Sequence, residues 1–234
     1  MSDRPDIVWI YCDELRTDAL GCYGHPHLQL HTPNLDRLAS SGVRFTNNFC
    51  NAPVCVASRC STLTGLYPED TGVYNNEGAW PNFRLPCSLN TFPRVFSQNG
   101  YVTANFGKLH VGPEMRPGAN PENEIFQFHD GTGGDMRFWE RLGEEAVQMI
   151  RAPRGGMNGG VYPDDVPYPP DAVVENALQW IDTADTPFFS RISILQPHTP
   201  VLPPAKYVKL LEGQDPGLPG PLPDTLSAFE KRVA

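Results

Sequence analysis

The 234 residues allow one large domain or two small ones, and a hydrophobic fraction of 40% is enough to build a core. The net charge of −9, with no Lys/Arg cluster anywhere, argues against a nucleic-acid or anionic-membrane binder, which needs a basic face to displace counterions. An anionic small molecule stays open as a ligand, because a few focused cations can hold one inside an acidic protein.

No stretch approaches the roughly 20 consecutive apolar residues of a membrane span. The opening "MSDRPDIVWIYCDE" lacks a basic region, an apolar core and a small-residue cleavage site, so a cytoplasmic location is the expectation. The six cysteines are Cys12, Cys22, Cys50, Cys55, Cys60 and Cys87; none forms a CxxC pair and the spacing matches no zinc module. Disulfides are not expected, and most of these thiols read as small buried hydrophobes.

"DIVWIYCDE" is an apolar run bounded by charge, which predicts a strand buried on both faces and ending at Asp13-Glu14. "TPNLDRLASSG" predicts a helix with Thr32 as N-cap, Pro33 at the first helical position, Leu35 and Leu38 facing inward and Gly42 ending it. "VRFTNNF" then reads as a strand leading towards Cys55, and Ser58 to Thr64 as a short helix stopped by Gly65. "TFPRVFSQNG" predicts a helix and "YVTANFG" a strand, with Lys108 and His110 just beyond its end. Residues 113–134 and 152–171 are rich in Pro, Gly and Asn and read as long loops. "PDAVVENALQWIDTA" predicts a helix with Val174, Leu178 and Ile181 on one stripe. "PFFSRISIL" is a strand, followed at its end by "QPHTPVLPP". Strands alternating with helices predict an α/β fold with a mainly parallel sheet flanked by helices.

Asp13, Lys108, His110 and His198 all fall just after predicted strands. In open α/β sheets ligands sit outside the carboxyl ends of the strands, so residues far apart in sequence are expected to converge there. Cys55 is harder to place. A disulfide, a metal ligand, a nucleophile and simple packing would each use it differently. A helix starting near Ser58 would put Cys55 at its amino end, where free N–H groups and the dipole favour negative charge. Arg59, one turn on, adds a cation, and such a place stabilises a thiolate, an alkoxide or a bound oxyanion.

"CVASRCSTLTG" resembles the signature of the sulfatase family, Cys-x-Pro-Ser-Arg followed by Thr-Gly, with Cys55, Ser58, Arg59, Thr64 and Gly65 matching. Four further segments are similar in order. "DIVWIYCDELRTDALGCYG" looks like the opening strand and metal loop, and "TPNLDRLASSGVRFTNNF" like the first helix and following strand. "GYVTANFGKLHVG" looks like the Gly-Lys-x-His segment, and "QPHTPVLPP" like the His-x-Pro segment.

The resemblance implies an alkaline-phosphatase-like α/β fold and a calcium-dependent ester hydrolase of the alkaline phosphatase superfamily. In that family a maturation enzyme oxidises the cysteine to formylglycine. One oxygen of the hydrated aldehyde attacks sulfur and the other later expels sulfate. Carried over, Cys55 is the nucleophile precursor and contacts the metal, and Asp13 and Glu14 are metal ligands. Arg59 holds the formylglycine, Lys108 and His198 contact the sulfate, and His110 steadies the hydrated aldehyde. A sulfate ester and the maturation enzyme are then the expected partners. Hard cations with oxygen ligands polarise such a substrate.

Two positions depart from the pattern: Glu14 stands where the family usually has a second Asp, and Ala57 replaces the usual Pro. Relatives that hydrolyse phosphonate or phosphate diesters also vary at the first, and the anaerobic maturation system tolerates alanine at the second. No Asp-His-Gly or Asp-Asn-Gly occurs in residues 199–234, so the later metal ligands of the family have no counterpart. The expected organisation is therefore the N-terminal part of a catalytic domain over 1–211 and a Pro/Gly-rich tract over 212–234. Two rival readings follow: a phosphonate monoester or phosphodiester hydrolase, with manganese as the alternative metal, and a catalytically inactive fragment. Without the motif, Asp13 and Glu14 read as a cap and a solvated neighbour, and His110 and His198 as structural histidines. His25, His27 and His31 suit a loop and are assigned no metal.

Overall fold

The computed structural model describes residues 4–25, 27–76, 84–112, 124–130, 148–151, 157–185 and 187–215. The chain divides into two compact units, one of Met1–Leu15 with Asn47–Ala205 and one of Arg16–Thr46 with Lys206–Ala234.

In the first unit, β1 (Ile7–Cys12), β2 (Val102–Gly107), β3 (Phe128–His129) and β6 (Phe188–Ile194) form a four-stranded sheet in the order β1-β6-β2-β3. All its pairs are parallel, as the alternation of strands and helices predicts. Register pairs Trp9 with Arg191 and Asn105 with Arg191, so one transverse row crosses three strands on the same face. The helices α2 (Cys55–Thr64), α3 (Pro68–Thr71) and α4 (Phe92–Gln98) are short, and α2 contributes most to the larger core. In that core Val56, Cys60, Leu63 and Phe189 meet, with Ile7, Trp9, Phe92 and Phe96 packed against them. Phe189 stacks on Phe96 at 5.2 Å and meets Phe92 edge-on at 5.4 Å. The opposite face carries α5 (Pro169–Ile181), whose Val173 and Ala177 pack on Ala104, Phe106 and Ile192.

Several predicted elements shift. β1 buries only one face: Val8 and Ile10 are 49% and 54% exposed, because β1 is the edge strand and α5 packs over β2 and β6. The helix at the signature begins at Cys55 rather than Ser58. Val54 is extended at its N-cap, and Asn76 Oδ1 accepts the Val56 N–H at 2.9 Å, supplying from a distant loop one of the partners that the first turn lacks. On α5 the buried stripe is Val173 and Ala177 with Val174 and Trp180 beside it, while Leu178 is exposed. The segment 152–171 is not one loop. It holds β5 (Met157–Val161), paired antiparallel with β4 (Gln148–Arg151), and the start of α5. Residues 113–123 and 131–134 of the other predicted loop lie outside the described residues; Trp180 packs on Phe188 at 5.6 Å.

"VRFTNNF" forms no strand; no described strand pairs with it, and an unpaired strand leaves its N–H and C=O groups unmatched. In the second unit α1 (Pro33–Ser41) forms where predicted, with Pro33 in its first turn, but Leu35 and Leu38 are exposed and no residue of α1 is buried. Thr32 does not cap it in the expected way. Its hydroxyl accepts the Gly21 N–H at 2.8 Å and donates to Asp36 at 3.0 Å, tying the preceding loop to the helix. His25 Nδ1 accepts the N–H groups of His27 and Leu28, each at 3.1 Å, which closes the loop expected there. Short α6 (Ala205–Val208) follows β6 in the chain. Among the described residues no helix is long and apolar enough to cross a membrane.

Candidate active site

Parallel strands deliver their C-terminal residues to one edge of the sheet, and the candidate groups collect there. Asp13 follows β1 and is held by its N–H to the Ile194 carbonyl at 3.0 Å. Lys108 follows β2, its N–H bonded to the Ser193 carbonyl at 3.1 Å. Gly107 makes that turn possible. Its φ is +81°, and a Cβ there would sit 2.1 Å from the Ser193 carbonyl oxygen. Among the described residues, two that are not glycine also adopt left-handed backbone, Glu14 at φ 62° and His110 at φ 53°. Such conformations persist where the surrounding structure holds them and cluster at functional sites.

Asp13, Arg59 and Lys108 are 6%, 1% and 2% exposed. Lys108 Nζ donates to Asp13 Oδ2, and Arg59 Nη2 lies 3.2 Å from Oδ1. Burial alone would raise the Asp13 carboxyl, but the Arg59 charge and the Lys108 hydrogen bond and charge outweigh it and hold the group below the usual carboxylate range. Arg59 Nη1 donates to the Lys108 carbonyl at 2.8 Å and to Ser193 Oγ at 3.2 Å. His198 lies between the cis peptides Gln196–Pro197 and Thr199–Pro200. Its Nδ1 donates to the Thr199 carbonyl at 2.6 Å, and its Nε2 lies 3.3 Å from Glu14 Oε1. Ligand atoms of Asp13, Cys55 and His198 all lie within 4.8 Å of one another. The structure thus gathers Asp13, Glu14, Cys55, Arg59, Lys108 and His198, and His110 follows Lys108 by two residues in the same turn.

One member of the cluster escapes motif reading. Arg191, from the middle of β6, is fully buried; its Nη1 donates to Asn105 Oδ1 at 2.5 Å and to the Lys108 carbonyl at 3.1 Å. Its guanidinium lies 5.3 Å from the Trp9 ring centre and 4.8 Å from that of Tyr11, while Arg59 lies 5.1 Å from Tyr11. Burial, then the nearby Arg59 charge, lowers Arg191 to about 9. The signal was a charge inside the apolar run "PFFSRISIL", since arginine is almost never fully buried without a partner. Among the described residues, three buried cations, Arg59, Lys108 and Arg191, accompany the buried carboxylate of Asp13, while a second buried carboxylate, Asp130, accepts the Gly107 N–H at 3.1 Å. Excess buried positive charge of this kind suits an anion.

The donor set divides by hardness. The Asp13 and Glu14 carboxylates fit a hard divalent ion, though two residues fill only part of the six to eight oxygen positions that calcium takes. The Cys55 thiol and the His198 imidazole do not fit that ion.

The sulfatase family model matches residues 5–218. An ulvan-active sulfatase of Formosa agariphila is 33% identical over 207 residues, covering 84% of this chain and 36% of the relative. An arylsulfatase of Clostridium perfringens is 30% identical, covering 94% of this chain and 48% of the relative. The structure of a phosphonate monoester hydrolase of Agrobacterium radiobacter superposes with a TM-score of 0.65 at 25% identity, covering 88% of this chain and 44% of that one. The chain thus spans less than half the length of each of these relatives.

Proposed function

The chain belongs to the sulfatase family, and from that premise we propose that it carries the nucleophile half of a sulfuric ester hydrolase site built on Cys55. The observation that supports this best is the convergence of Arg59 and Lys108 on Asp13, beside Cys55 and His198. Arg59 holds the formylglycine, Lys108 contacts the sulfate oxygens, and both offset the negative charge that develops there. Asp13 holds the Lys108 amine in place, and the two arginines fix the turn that carries it through its carbonyl oxygen. His198, oriented by Thr199, reaches the substrate with Nε2. His110 steadies the hydrated aldehyde. Formylglycine, once made from Cys55 by a maturation enzyme, supplies the attacking oxygen. A divalent metal held by Asp13 and Glu14 supplies Lewis acidity, with calcium the expected ion and manganese the alternative. In this reading residues 1–211 form the N-terminal part of the catalytic domain.

A second reading, phosphonate monoester hydrolysis, is favoured by Glu14 in place of aspartate and by the likeness to the Agrobacterium radiobacter enzyme. Turnover of an aryl sulfate against an aryl phosphonate monoester, by the native polypeptide purified from its own host, separates the two. Faster sulfate release supports the leading proposal; phosphonate cleavage with no sulfate release overturns it.

A further inference from the structure

Cys55, His198 and Asp13 present sulfur, nitrogen and oxygen donors that all lie within 4.8 Å of one another. Three protein ligands of these types with an open fourth position are the donor set of zinc, which accepts thiolate, imidazole and carboxylate together. Calcium takes oxygen alone. We infer that, while residue 55 is still a thiol, Cys55, His198 and Asp13 bind a zinc-class divalent ion, and that conversion of the thiol abolishes this site. The inference rests on the proposed function only for the conversion step.

Each ligand is prepared for the task. Cys55 is the first residue of the ten-residue α2, with Arg59 one turn away. His198 Nδ1 is tied to the Thr199 carbonyl, which orients the ring and leaves Nε2 as the ligand atom. Glu14 Oε1, 3.3 Å from that nitrogen, stands near enough to take the fourth position in place of water. Asp13 already accepts from Lys108 and faces Arg59, but a carboxylate has about four lone-pair sites, so it can meet an ion without giving up either cation. Binding releases the thiol proton to solvent and changes no oxidation state.

The test uses the 234-residue chain made in a host without the maturation system, with the Cys55 thiol verified by mass. Cys22, Cys50 and Cys87, accessible thiols that compete for metal, are replaced by serine throughout. Titration with cobalt(II) chloride is expected to give a thiolate-to-cobalt charge-transfer band saturating at about one equivalent, bleached by zinc chloride. Cys55→Ser is expected to abolish the band, and His198→Ala to weaken cobalt binding about tenfold or more. Circular dichroism of each metal-free variant shows whether it is folded. If Cys55→Ser is misfolded, zinc protection of Cys55 from iodoacetamide in the parent replaces that comparison. No band in the parent, an equal band in folded Cys55→Ser, unchanged affinity in His198→Ala, or no zinc protection overturns the inference. The two readings fail separately: normal conversion in the native host with no cobalt band sinks only this one, and a cobalt band with no conversion sinks only the sulfatase reading.

Discussion

Arg191 shows what a single buried charge contributes. Its neighbours in β6 make a strand obvious, but a hydrophobic pattern treats an arginine as an interruption, so its contact with the Lys108 carbonyl, 83 residues away in sequence, is invisible until β6 is seated between β1 and β2. Asp13, Lys108 and His198 were legible for the opposite reason: they stand at strand ends, where parallel topology dictates convergence. Arg191→Met replaces a desolvated cation with an apolar chain of similar volume. It also leaves the buried Asn105 Oδ1 without this donor, at a cost of about 1–3 kcal/mol, so a melting temperature several degrees below the parent is expected. The Lys108 turn loses one of its two arginine donors, and turnover is expected to fall about tenfold or more, as for other groups that orient a site. Arg191→Lys, which keeps the charge, should restore part of it; activity measured beside melting temperature checks the split. Asp13 gives a pH prediction. Its folded pKa is depressed, so its stabilisation is fully present above the usual carboxylate value of about 4 and is lost as pH falls through the folded value. Melting temperature against pH in chelator should therefore drop at acid pH for the parent, with a visibly smaller drop for Asp13→Asn.

Element boundaries followed local signals where those signals act locally. Pro33 and Pro93 stand in the first turns of α1 and α4, and Gly65 closes α2 in left-handed backbone at φ 73°. Where a partner elsewhere in the chain decides, the sequence could mislead. Asn76 lets α2 begin at Cys55, while "VRFTNNF" is irregular and pairs with no described strand. The face of α5 differed from its predicted stripe because Val173 and Ala177 are the residues that meet β2 and β6. The turn after β2 carries the sharpest constraint. Gly107→Ala brings Cβ into the Ser193 carbonyl at positive φ, which requires backbone movement at the Lys108 anchor. Loss of more than about 2 kcal/mol by denaturant unfolding is expected. Gly65→Ala should cost less, since a Cβ at Gly65 meets nothing within 4 Å. Phe189→Ala, at the centre of the aromatic cluster with Phe92 and Phe96, should cost about 3–5 kcal/mol in the same assay.

For the whole molecule, the α/β class and the parallel sheet follow from the order of elements, and family membership from five motifs in register with it. The asymmetry of the sheet does not follow. Whether β1 lies at an edge depends on where β6 inserts, which no local pattern encodes. The acidic overall charge gives no hint of the buried cationic cluster either, because three cations among 18 Lys and Arg leave no trace in a composition. The central claim is that this cluster serves a formylglycine made from Cys55. Mass spectrometry of the Cys55 peptide from the native host tests it most directly. The account predicts a peptide about 18 Da lighter than the thiol form, as sulfur gives way to oxygen and two hydrogens leave; a peptide carrying only the intact thiol would contradict it.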